Sequence, residues 1–199
     1  MAIVLDYKGS IWFYLFKPMT TVLVILLPIL LNEARNSYNK LLIAALCFCL
    51  LGDIFLLKPD YFVFGLGAFL VGHLLFIRGF ISLEGLQKNG ITASILFLIG
   101  IGLYAWLYKD LGTLKFPVAV YVLVILFMVW QAVSMYLKNK KTRYVFIALG
   151  ALLFMFSDTL IAIHKFKNSF ELSGVLILST YWLAIAFLAN SGIHATKNP

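Results

Sequence analysis

Charge is scarce in this chain: Asp, Glu, Lys and Arg make up 12% of 199 residues, against about a quarter in an average soluble domain. That shortage excludes an ordinary water-soluble fold, because too few charged side chains remain to solvate its surface. Cysteine is nearly absent. Cys47 and Cys49 stand two apart in one apolar run, point to different helix faces, and offer neither a disulfide framework nor a metal-binding pattern. Of the three histidines, His73 falls inside one run, and His164 and His194 at the ends of two others on opposite faces. They cannot converge on one metal, and a pair of acids alone makes a weak zinc site. A zinc hydrolase is therefore rejected, and no metal or cofactor is expected. The opening residues MAIVLDYKGS are too short and polar for the core of a signal peptide, and no small-residue cleavage pattern follows. No removed leader is expected.

What the chain has in excess is apolar surface: the hydrophobic fraction is 63% and the mean hydropathy +0.99. Apolar runs fall at 11–31, 41–57, 61–82, 91–108, 114–137, 143–163 and 171–191, most of them near the roughly 20 residues that cross a bilayer as a helix. The reading is a single all-α integral membrane domain over 1–199, a polytopic bundle of about seven spans. Short connections pack sequence neighbours antiparallel. The net charge of +8 gathers mostly at the ends of the runs, where it suits lipid phosphates of the bilayer rather than nucleic acid. Lys8, Lys17, Lys58, Lys109, Lys115, Lys165 and Lys167 fall on the N-terminal side. Arg35, Lys40, Arg78, Lys88, Lys138, Lys140, Lys141, Arg143 and Lys197 fall opposite. That excess puts the C-terminus in the cytoplasm, and in a bacterium the inner membrane is the expected location.

Of the eight acids, Asp6, Glu33, Asp60, Glu84, Asp110 and Glu171 sit at or near predicted loops, but Asp53 and Asp158 do not. An Asp in hydrocarbon costs about 2.5 to 3.5 kcal/mol on insertion scales, so both need a reason. With seven spans the second and sixth run in the same direction. Asp53 is four residues before Leu57 and Asp158 five before Ile163, so both are expected roughly 6 to 9 Å below one membrane face. Lys17 opens the first span on that face, with Lys58, Lys165 and Lys167 around the mouth. The bland alternative is two separate acids, each bonded to a neighbouring helix. A possible weak internal duplication accompanies them: VLVIL occurs at 22–26 and at 122–126, and the two acids recur at an offset of about 105. Four spans separate the copies, so a repeat would be parallel; chance in so apolar a chain is the alternative.

Two carboxyls in a dry pocket suit general acid and base chemistry. Burial and a like charge both favour a carboxyl's neutral form, so such a pair could share a proton, protonate an acid-labile substrate and direct water at the resulting cation. His73 serves either that site or packing. Gly65, Ala68, Gly72 and Gly79 form a small-residue stripe of the kind that brings helices close. Ser157 lacks the surroundings of a nucleophile, and Tyr181, with Trp182 and Asn190, brings polar atoms into the last span, where a mid-bilayer hydroxyl needs a partner.

In order along the chain, Lys17-Pro18, GDIFLL at 52–57, FGLGAFLVGHLLF around His73, FSDTLIA at 156–162 and TYW at 180–182 resemble the lysoplasmalogenase family of YhhN-like membrane proteins. The resemblance implies hydrolysis of the vinyl ether bond of a lysophospholipid, the lysoplasmalogen, to a fatty aldehyde and a glycerophospho-base, with Asp53 and Asp158 catalytic. It also implies that Lys17 meets the lipid phosphate while His73, Ser157 and Tyr181 orient the carboxyls or the water. Two departures stand out: Ile185 occupies the place of a family Gln, and the family usually has eight spans. The rival classes are a proton-coupled transporter, for which Pro28 and Gly100 to Gly102 are the candidate helix breaks, and a lipid-binding protein without turnover.

Overall fold

A computed structural model of the chain describes residues 11–31 and 36–193, with side chains from Lys17 onward. Asp6, Lys8, Glu33, Arg35, His194 and Lys197 lie outside the described residues. Among the described residues seven α-helices follow one another: α1 Ile11–Leu30, α2 Ser37–Phe55, α3 Phe62–Glu84, α4 Gly90–Leu107, α5 Lys115–Lys138, α6 Thr142–Phe166 and α7 Ser173–Ile193. Six of them are long and apolar enough to cross a membrane, and the seventh contributes the shorter apolar stretch Lys17–Leu30. The protein is a multi-pass integral membrane protein. Helices are the form that suits such runs, because each backbone N–H and C=O is satisfied within its own segment.

Local chemistry sets the ends. Asn36 and Asn89 cap α2 and α4, their side chains accepting from the N–H groups of Asn39 and Thr92, as short polar residues do at helix starts. Gly85, at φ 68°, closes α3 in a conformation that costs other residues. α2 ends earlier than the apolar run suggests. Lys58 precedes Pro59 and is extended, at φ −117° and ψ 128°, since the proline ring disfavours a helical residue before it. Asp53 therefore lies two residues from the end of its helix and Asp158 eight from the end of α6, not at the matched four and five that the runs suggested. Neither candidate break unwinds its helix: α1 continues through Pro28 and α4 through Gly100 and Gly102.

The glycine stripe of α3 faces α2. A Cβ on Gly72 would come within 3.3 Å of the Ala45 carbonyl and 3.4 Å of the Cys49 sulfur, so a side chain here would press the two helices apart by a few tenths of an ångström. The wider packing repeats. α1 packs on α2 and α7, while α5 packs on α6 and α3, and α2 on α3 as α6 on α7. The first three helices and the last three thus have the same internal arrangement, and each set's first helix leans on the other's third. α4 stands apart, packed on α5, with Ile91, Leu98 and Ile101 outward.

Candidate active site

Each acid is met by a hydroxyl from the helix before its own. Thr21 on α1 donates to Asp53 Oδ2 at 2.6 Å, and Tyr121 on α5 donates to Asp158 Oδ2 at 2.5 Å. Both donors immediately precede a VLVIL segment, so the short sequence repeat marks equivalent places in the two halves. Each acid is also approached by the third helix of the opposite half. Tyr181 on α7 donates to Asp53 Oδ2 at 2.8 Å, and His73 on α3 brings Nε2 to 3.8 Å from Asp158 Oδ2.

The two carboxyls occupy different surroundings. Asp53 is only 1% exposed; besides its two hydroxyl donors it has the ammonium of Lys17 at 3.7 Å from Oδ1. Lys17 is therefore turned inward to the acid. Asp158 has one tyrosine, and beside it His73, fully buried and with no hydrogen-bond partner on either ring nitrogen among the described residues. At 3.8 Å the imidazole is beyond direct hydrogen-bonding range, and a small shift or one water would connect it. Ser157 faces elsewhere, donating to the Ile177 carbonyl at 3.1 Å and pinning α6 to α7.

An aromatic wall joins the two acids. The Tyr181 ring meets Phe154 edge to face at 5.5 Å, and Phe154 meets His73 at 4.7 Å. Phe69 touches both Phe154 and Tyr181. The two carboxyls share no hydrogen bond: each has its own tyrosine.

A cavity of about 190 Å³ opens on one side of this wall, between α3, α4, α5 and α6. Asp158 and Tyr121 line it together with Phe69, Ile125, Leu126 and Met155, and among the described residues Asp158 is the one acid on its surface. Ile99 of α4 also lines it and is 57% exposed, so the cavity opens sideways towards lipid. Asp53 does not reach it. Ile185, in the position where the resemblance implied a Gln, is fully buried in the apolar core.

Thr21 and Tyr121 were not singled out by the sequence analysis. A hydroxyl in a span is common, and the available signal was their shared position before a repeated segment. The outcome is a membrane-embedded helical protein with one buried carboxyl, Asp53, and one partly buried carboxyl, Asp158, open to an apolar cavity. The chain belongs to the YhhN family, whose model matches residues 12–192. It is 38% identical over 159 residues to the lysoplasmalogenase TMEM86A of Bos taurus, covering 76% of this chain and 65% of that one. It is 34% identical over 152 residues to a lysoplasmalogenase of Mycobacterium tuberculosis, covering 72% and 56%. Against the membrane protein YhhN of Escherichia coli O157:H7 it is 26% identical over 179 residues, covering 89% and 86%. The chain thus spans somewhat under two thirds of the first two relatives. No solved structure matches it.

Proposed function

We propose that the protein hydrolyses the vinyl ether bond of a 1-alkenyl lysophospholipid, as the names of its relatives indicate for them. The observation that carries this reading is the single carboxyl in an apolar cavity, Asp158 beside Tyr121. A vinyl ether is hydrolysed by adding a proton to the carbon one removed from the ether carbon, which leaves an oxocarbenium ion. Water then adds, a proton is lost, and the hemiacetal collapses to an aldehyde and the glycerol alcohol.

Asp158 is the proton donor in this scheme, and the base left behind takes the proton from the attacking water. Tyr121 holds one carboxyl oxygen and leaves the other to face the chain. The rings of Phe69 and Tyr121 border the place where positive charge develops, and aromatic faces attract cations. Asp53, across the aromatic wall, is paired with Lys17 and holds Tyr181 in place; His73 positions Asp158. Purified protein should release fatty aldehyde from a 1-alkenyl lysophospholipid, with mass spectrometry detecting both products. Aldehyde formation undiminished in an Asp158→Asn variant would remove this mechanism.

A further inference from the structure

The cavity places a substrate's chain and its reacting bond, and the lysines at its mouth bear on where the head group goes. Asp158 lies about midway along it: Met155, Ile125 and Leu126 line the part towards the bilayer centre, while Ala162, Phe166 and Phe62 lead outward to the membrane surface. Lys165 stands seven residues beyond Asp158 on α6, roughly 10 Å along the axis at 1.5 Å per residue. Its Nζ lies 4.7 Å from the centre of the Phe62 ring, part of the cavity wall. Lys115, at the start of α5, has its Nζ 4.4 Å from the Tyr108 ring. Two other lysines of this face are committed, Lys167 to Asp110 and Lys17 to Asp53. Among the described residues no carboxylate pairs with Lys165 or Lys115.

We propose that Lys165 and Lys115 clamp the phosphate of a glycerophospholipid whose sn-1 chain occupies the cavity, in place of Lys17; the identity of the reacting bond rests on the hydrolase reading above. Dimensions favour this. Five single bonds separate the sn-1 oxygen from phosphorus, about 6 Å when extended, and an ammonium in contact with phosphate adds roughly 3 to 4 Å. The sum is of the same order as the rise along α6 from Asp158 to Lys165, so a lipid whose ether lies at the acid has its phosphate at the level of the membrane face that carries Lys165. Phe62 holds the Lys165 ammonium over its ring, at the outer end of the cavity wall. A lipid seated deeper or shallower would lose one of the two contacts. The clamp therefore sets the register in which the ether meets Asp158.

The test is equilibrium binding of two ligands to the full chain in detergent: a saturated 1-alkyl lysophospholipid, which has no vinyl ether to cleave, and the 1-alkylglycerol of the same chain length. Lys165→Gln and Lys115→Gln should each weaken the lysophospholipid about fivefold, the effect of one cation on an anionic head group at the membrane surface. Neither should shift the alkylglycerol, whose retained affinity also reports an intact fold. Lys140→Gln, on the opposite membrane face, should change neither ligand. Equal affinity of the unaltered protein for the two ligands would overturn the clamp. So would a parallel loss of both ligands, or a Lys140 variant as weak as the Lys165 one. Failure of the hydrolase reading is read separately, as no aldehyde from an alkenyl lysophospholipid while this binding pattern stands.

Discussion

Asp53 and Asp158 look alike in the sequence and differ in what surrounds them. Asp53 has Lys17, Thr21 and Tyr181, a set of donors that offsets the desolvation of a buried charge. Removing one partner of a buried ion pair leaves the other uncompensated. Lys17→Met should therefore destabilise the protein by about 3 kcal/mol, measured by unfolding in detergent, and Asp53→Asn in the same chain should recover part of the loss. Asp158 has one tyrosine and an open cavity. Asp158→Asn should lower turnover about 10²- to 10⁴-fold, the usual range for a lost acid or base, with the fold intact by circular dichroism. Tyr121→Phe keeps the ring and loses the hydroxyl, so its effect should fall on kcat more than on KM. The two acids were legible because ionisable groups are expensive in hydrocarbon. Their unequal surroundings were not, since Lys17 and Thr21 lie more than thirty residues from Asp53 along the chain.

At the scale of elements, α4 decides where the cavity opens. It packs on α5 without closing over α6, and Ile99, Gly100, Leu103 and Leu107 form its side of the cavity wall. Leu103→Trp should narrow that space and reduce kcat/KM about tenfold, comparable to the transfer free energy of roughly two methylenes. The connection before α4 is fixed more firmly than a polar loop needs to be. Gln131 of α5 accepts from the Gln87 N–H and donates to the Gln87 carbonyl, both at 2.9 Å, and Trp130 donates to the Asn89 carbonyl. Gln131→Leu would leave buried groups of the loop unpaired, at about 2 kcal/mol, and a lowered Tm in detergent would report it. Helix number and order were legible from the apolar runs; the early end of α2 was not, because Leu56 and Leu57 extend the run while Pro59 has already ended the helix.

Over the whole molecule, two similar halves exchange services. Each acid takes a hydroxyl from its own half and a ring-bearing residue from the third helix of the other. This arrangement makes a prediction about coupling. Thr21→Val and Tyr181→Phe share one carboxyl, so their effects on stability should be non-additive. Thr21→Val and Tyr121→Phe act on different carboxyls, and their effects should add within about 0.5 kcal/mol. Additivity in the first pair and coupling in the second would contradict the geometry. The same three-helix packing serves a closed site around Asp53 and an open one around Asp158, and α4, which has no counterpart among the described residues, lines the open one.

Composition alone determined that this chain lives in a bilayer, because so apolar a polymer with so few charges cannot be solvated otherwise. Helix count and the choice of two acids followed from the same cost of placing charge in hydrocarbon. Tertiary structure decided which acid faces a cavity, which lysine turns inward, and which tyrosine serves which carboxyl. Those outcomes depend on contacts between helices remote in sequence, and side-chain spacing within one helix carries no information about what stands opposite it.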